Sequence, residues 1–419
     1  MADLLRIEEP GAAGRARPQW AAFLELGFRP LYLLGCLWAA VSIGLWVFAP
    51  QLLRGQLVSV FWHAHEMLWG FVATIAAGFL LTAVSNWTGI NPLKGRALGA
   101  ACVLWLVARV GFLVPGAAAF AVAAVAEVLF FGWTALAIGR AIYPRRSRRN
   151  YGVPLLMLGL GLADALYLLA AWRGDYVALL ARLQTGLLLM ALIALLIARR
   201  VIPFFATRAV QGLVLPMHTR SGHVQLAAGT LAIAAQLAGW PQLAAALLAL
   251  AGVLALVHVL AWRPLAVRRV PLLWILYAGY AAMGAGILVW AVQVGGWLAE
   301  PMRAAWPVHI VGVAGFSVLI IGMVTRTALG HLGRPLRTDR LMVWCYVLML
   351  AAAALRLLAL APGPWAPGAL HGSAGAWVLA FALYLWRFAP MLIRPRADAA
   401  PQAAMPAMTT IAVARRRAE

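Results

Sequence analysis

The chain has 419 residues, of which 64% are hydrophobic and only 11% charged, and it carries a net charge of +22. No water-soluble domain of this size tolerates such a balance. The positive charge does not signal nucleic acid, because the basic residues sit in the breaks between apolar runs, where topology signals belong.

Crossing a bilayer core of about 30 Å takes roughly 20 apolar helical residues. Runs of that kind tile the sequence, and because they are continuous rather than alternating, helices and not a β-barrel are predicted. Spans are expected near residues 30–49, 62–84, 97–114, 118–140, 153–172, 177–198, 223–239, 242–262, 271–294, 306–325, 341–361 and 370–392. The junctions at 114–118 and 239–242 are short enough for helical hairpins, and Pro115-Gly116, Pro264 and Pro362-Gly363-Pro364 mark breaks. The predicted fold is an all-α, polytopic membrane bundle of about twelve transmembrane helices. It has a cytoplasmic segment over 1–29, a transmembrane domain over 30–393, and an Ala/Pro/Arg-rich cytoplasmic tail over 394–419 with too little apolar surface to fold alone. No cleavable signal peptide is expected.

With the N-terminus inside, the inner segments and span ends hold 28 of the 34 basic residues, and the outer loops hold Arg54, Arg173 and Arg303. That asymmetry places both termini in the cytoplasm. Cys36, Cys102 and Cys345 lie singly in apolar runs and read as small core hydrophobes. No P-loop or Rossmann glycine pattern is present, so neither ATP-driven transport nor nicotinamide chemistry is carried in cis.

Ionisable groups inside spans are costly and are functional candidates by default. They are Glu66, Glu127, Asp164, Arg109, Arg182 and Arg356, with His63, His65, His258, His309 and His371. His63, His65, His309 and His371 open spans two, ten and twelve, Arg182 lies early in span six, and Arg109 and Arg356 lie late in spans three and eleven, so all fall in the outer third. Glu127 and Asp164 sit deeper.

A bis-histidine haem needs two imidazoles at one depth on facing helices. His65 and His309 fit: each follows a tryptophan by three residues (Trp62, Trp306) and precedes a glycine by thirteen (Gly78, Gly322). Arg109, Arg182 and Arg356 could pair with propionates. His63 and His65, two apart, point to opposite sides of an ideal helix, and His63 shares a face with Glu66, Met67 and Gly70. One imidazole could bind iron while His63 with Glu66 serves copper or a proton path, with Met67 and Met302 as soft donors. His371 is a further metal candidate. Each site has a plainer alternative: interfacial histidines, helix-packing hydrogen bonds at His258, solvated loop residues at His218, His223 and His331, and buried ion pairs that fix helix register.

Phe28-Arg29-Pro30, Trp62-His63-Ala64-His65-Glu66-Met67, Asn86-Trp87-Thr88-Gly89, Arg200-Val201-Ile202-Pro203-Phe204 and Thr325-Arg326-Thr327-Ala328-Leu329-Gly330-His331 together resemble the NnrS family. The resemblance implies a bacterial inner-membrane protein with twelve helices that contains haem, expected to be b-type, and copper. It further implies a link to nitric oxide metabolism and protection from nitrosative stress, often beside denitrification. His331 and Arg326 gain interest from lying inside a matching motif. Haem–copper oxidases, a weaker likeness, also have a twelve-helix core with haem histidines on helices two and ten. Ala206-Thr207-Arg208-Ala209 and Val324-Thr325-Arg326-Thr327 hint at a four-helix repeat. The oxidases' copper histidines on helices six to eight have no counterpart here.

The expected function is redox handling of nitric oxide at an outer-face haem, in the manner of a nitric oxide reductase, with a quinol or periplasmic electron donor and a lipid surround. The alternative is a secondary transporter of a small anion or metal complex. No acidic relay leads from the inner face, which tells against a proton pump.

Overall fold

The computed structural model describes residues 17–57, 59–298 and 305–398, so the tail beyond 398 and the loop holding Met302 and Arg303 lie outside the described residues. Twelve long helices run through it: α1 Phe28–Phe48, α2 Ser59–Thr88, α3 Gly95–Gly111, α4 Ala117–Ile142, α5 Gly152–Arg173, α6 Tyr176–Ala209, α7 Thr219–Leu237, α8 Pro241–Ala261, α9 Pro271–Val294, α10 Ala305–His331, α11 Arg340–Leu358 and α12 Ala366–Leu392. Ten are long and apolar enough to cross a membrane. The other two are α3, with 17 residues, and α7, whose opening turns carry Arg220, His223 and Gln225. Each packs as a hairpin against its apolar successor, α4 or α8.

The helices are arranged in three similar groups. The pairs α3/α4, α7/α8 and α11/α12 are hairpins. Each is followed in space by one helix, α5, α9 or α1, and that helix packs on a central helix, α6, α10 or α2. The four-helix repeat hinted at by the Thr-Arg motifs is thus carried by the packing, with α2, α6 and α10 meeting at the centre. Burial follows the same order. The most apolar stretch of α2 is 89% buried and that of α6 72%, against 33% for peripheral α11. Between the three central helices lies an apolar cavity of about 90 Å³, walled by Val72, Ala76, Ala194, Ile197, Leu319 and Met323 among others.

Helix α6 runs eleven residues past its predicted end at 198, through Arg199, Arg200 and Pro203. The extension is held by pairing rather than by burial in lipid: Arg199 donates to the His218 carbonyl, and Arg200 donates to Asn150 Oδ1 and to the Arg149 carbonyl. The two ends of the described chain meet on this basic face. Arg29, fully buried, donates to the Leu392 and Arg394 carbonyls, and Gln19 donates its backbone N–H to Ile393. The three cysteines are free and buried.

Candidate functional site

Helices α2 and α10 share an irregularity at the same point in their sequence. Directly after His65 the chain winds as a π-helix over Glu66–Ala73, and directly after His309 it does so over Ile310–Ser317. In such i→i+5 winding a hydroxyl can return to a carbonyl five residues back, and Thr74 does so to Trp69 (3.0 Å) and Ser317 to Gly312 (2.9 Å). π-helical turns are rare and concentrate at functional sites. Here the two segments touch each other and α6.

The wider winding separates the side chains that follow His63 and His65. His63 and Met67 face a cavity of about 290 Å³, and Glu66 turns the other way with His65. The cavity lies between α1, α2, α6, α10, α11 and α12, and its few polar groups converge from four helices: His63 on α2, His309 and Ser317 on α10, Arg356 on α11 and Ser373 on α12. This is the usual make-up of a ligand pocket, apolar walls with a small polar set. His63 stacks on Trp46 at 5.2 Å and 11°, with its Nδ1 buried and unpartnered. His309 Nδ1 lies 2.7 Å from the Ala305 carbonyl, which fixes a proton on that nitrogen and leaves Nε2 as the basic one.

His65 lies elsewhere. Its Nδ1 is 2.9 Å from Glu66 Oε1, and its Nε2 is 3.0 Å from Asp164 Oδ1 and 3.4 Å from Glu127 Oε2. Arg109 bridges Glu66 and Glu127, and Trp38 Nε1 donates to Glu66 Oε2 at 2.5 Å. All five ionisable side chains are at most 1% exposed. Gly70 makes room for them, because a Cβ there would stand 2.6 Å from Glu66 Oε2 and 2.9 Å from Trp38 Nε1. The ring of His65 is wedged between Trp69, Phe112 and Tyr167, with centroids 4.9–5.6 Å away.

The family described as NnrS protein matches residues 22–396, nearly the whole chain. The chain belongs to the NnrS family. It is therefore a multi-pass membrane protein related to nitric oxide, in a family generally associated with haem and metal. No curated protein matches it.

Within this NnrS chain the packing redistributes the residues singled out in the sequence. His309 shares its cavity with His63, and the expected partner His65 has both ring nitrogens directed at carboxylates, so those two do not face one space. Glu66 joins His65 rather than His63 because the π-helix begins at that residue. Arg109 is engaged by Glu66 and Glu127, and of the three arginines expected in the outer third only Arg356 lines the cavity. Arg182 is half-buried one residue before cavity-lining Leu183 and makes no ion pair among the described residues. His371 is exposed, bonded through Nδ1 to the Pro367 carbonyl and set against Phe48. His258 packs between helices, 2.9 Å from Ser221 and 3.4 Å from Tyr280, as its alternative reading has it.

The convergence of Glu127 and Asp164 on His65 was not legible in the sequence beyond their shared burial. The signal that could have found it is stoichiometry: three intramembrane acids, Glu66, Glu127 and Asp164, in a chain this apolar must be neutralised together.

Proposed function

We propose that the cavity between α2 and α10 holds a haem, with His63 and His309 as its ligands, and that the protein handles nitric oxide there. The observation that carries this reading is the convergence of two imidazoles from π-broken helices on one apolar cavity. One of them has a buried nitrogen without a partner and the other a basic nitrogen left open. A bound haem supplies a redox-active iron with affinity for nitric oxide.

The chain's own residues do the rest. The Ala305 carbonyl orients His309 and strengthens Nε2 as a donor. Trp46 holds the His63 ring in one plane. Arg356 compensates a carboxylate in a low-dielectric wall, as propionates require. The aliphatic and aromatic walls exclude water, which suits a ligand as apolar as nitric oxide. Copper is less well served: with His63 on haem, Met67 is the one soft donor left on the cavity wall among the described residues.

The basic face is assigned to the cytoplasm and the His63/His309 end to the outer side of a bacterial inner membrane, on the arginine distribution. Turnover of nitric oxide as a reductase, with electrons from a quinol or a periplasmic donor, is the reaction this placement favours.

The test is a reduced-minus-oxidised visible spectrum of the purified protein, recorded with and without nitric oxide. A b-type Soret band that shifts on adding the gas supports the reading. A colourless protein expressed in haem-sufficient cells overturns it and favours the transporter alternative.

A further inference from the structure

We propose that His65, Glu127 and Asp164 hold a divalent first-row metal ion between α2, α4 and α5, at a site separate from the His63/His309 cavity. The three ligand atoms lie within 4.8 Å of one another, and all three residues are buried.

Charge is the first argument. Glu66, Glu127 and Asp164 bring three carboxylates into the interior, and among the described residues Arg109 is the one guanidinium that contacts them. With a neutral imidazole, two negative charges are left over in a low dielectric, where an uncompensated ion is strongly unfavourable. One divalent cation cancels both.

Direction is the second argument. In the neutral tautomer that donates its Nδ1 proton to Glu66 Oε1, 2.9 Å away, His65 Nε2 carries the lone pair. That lone pair faces Asp164 Oδ1 at 3.0 Å and Glu127 Oε2 at 3.4 Å, acceptor against acceptor. Three acceptors aimed at one another repel unless a positive charge sits among them. Asp164 Oδ2 and both Glu127 carboxylate oxygens find no hydrogen bond, although Arg109 forms an ion pair with Glu127 Oε1. A carboxylate holding the far nitrogen of a histidine, as Glu66 does here, is the arrangement that orients metal-binding imidazoles and raises their basicity. Arg109 and Trp38 in turn hold Glu66.

Fit is the third argument. Metal–ligand distances of about 2.0–2.2 Å place ligand atoms roughly 3–4.4 Å apart, so the observed triad needs only small adjustments to close on an ion. One imidazole and two carboxylates are hard to borderline donors, which suit zinc, manganese or ferrous iron more than a cuprous ion. The ring's confinement by Trp69, Phe112 and Tyr167 keeps this donor set pre-formed.

The experiment is elemental analysis of the full-length protein, purified in detergent and washed with a chelator, for the wild type, for Glu127→Gln with Asp164→Asn, and for His63→Ala. About one equivalent of zinc, manganese or iron beyond haem iron is expected in the wild type and in His63→Ala. The double variant should keep its Soret absorbance and lose that metal. Wild-type protein with no retained divalent metal overturns the proposal and means that protons close the network. Equal metal in the double variant also overturns it. Because His63→Ala removes the haem site alone, loss of haem in every preparation would count against the cavity reading while leaving the metal result intact.

Discussion

His65 on α2 meets Asp164 on α5 across 99 residues of sequence, Nε2 to Oδ1 at 3.0 Å, with no water-accessible surface on either residue. The contact ties a central helix to a peripheral one through polar groups in a region otherwise made of Leu, Ala, Val and Phe. In lipid, helix association gains little from hydrophobic burial, so buried polar contacts and close packing set helix register. It also turns His65 away from His309.

The two histidines of the WHAHEM run therefore separate on mutation. His63→Ala and His309→Ala are each expected to abolish the Soret band, and His371→Ala, exposed and outside the cavity, to leave it unchanged. Optical spectra of the three purified variants decide the assignment. A full haem complement in His63→Ala would remove that residue from the ligand set.

Arg109→Ala leaves Glu66 and Glu127 buried without their cation. Breaking a buried pair by removing one partner costs about 3–5 kcal/mol. Thermal unfolding in detergent should show a large fall in midpoint, and adding Glu66→Gln and Glu127→Gln to Arg109→Met should recover part of it. A wild-type melting curve for Arg109→Ala would mean the network contributes nothing to stability.

Gly70→Ala introduces a methyl group into the space where Glu66 Oε2 and Trp38 Nε1 meet. Overpacking of this kind costs about 1–3 kcal/mol. The same substitution at Gly132, where a Cβ meets nothing, should be neutral or slightly stabilising because alanine favours the helix. Comparing the two melting points checks the prediction, and equal values would contradict the packing seen at Gly70.

Arg356→Leu keeps the bulk of the side chain and removes its charge from the cavity proposed to hold haem. Losing a charge-assisted hydrogen bond to a propionate corresponds to about 1.5–3 kcal/mol, or roughly 10- to 100-fold in haem affinity. Hemin titration of haem-depleted protein measures it. Unchanged affinity in Arg356→Leu together with a loss in Arg182→Leu would exchange the roles of the two arginines.

Much of the architecture was readable without coordinates, because span length and apolar continuity are local properties. All twelve predicted spans coincide with helices, and the short turns after α3 and α7 stand at the predicted junctions 114–118 and 239–242. The end of α6 was not readable. Arg199 and Arg200 look like the edge of a membrane span, and their partners, the His218 carbonyl and Asn150, lie 19 and 50 residues away.

Composition, apolar run length and the spread of arginine by themselves determine that this is a helical membrane protein, and the short motifs determine its family. Only the tertiary structure decided which intramembrane groups meet. The face a side chain presents depends on helix winding, and the π-helical turns at Glu66 and Ile310 break the 3.6-residue register on which any reading from spacing rests. The partners of Glu66 come from α1 and α3 as well as from its own helix, and their convergence is a property of packing that no local window of sequence contains.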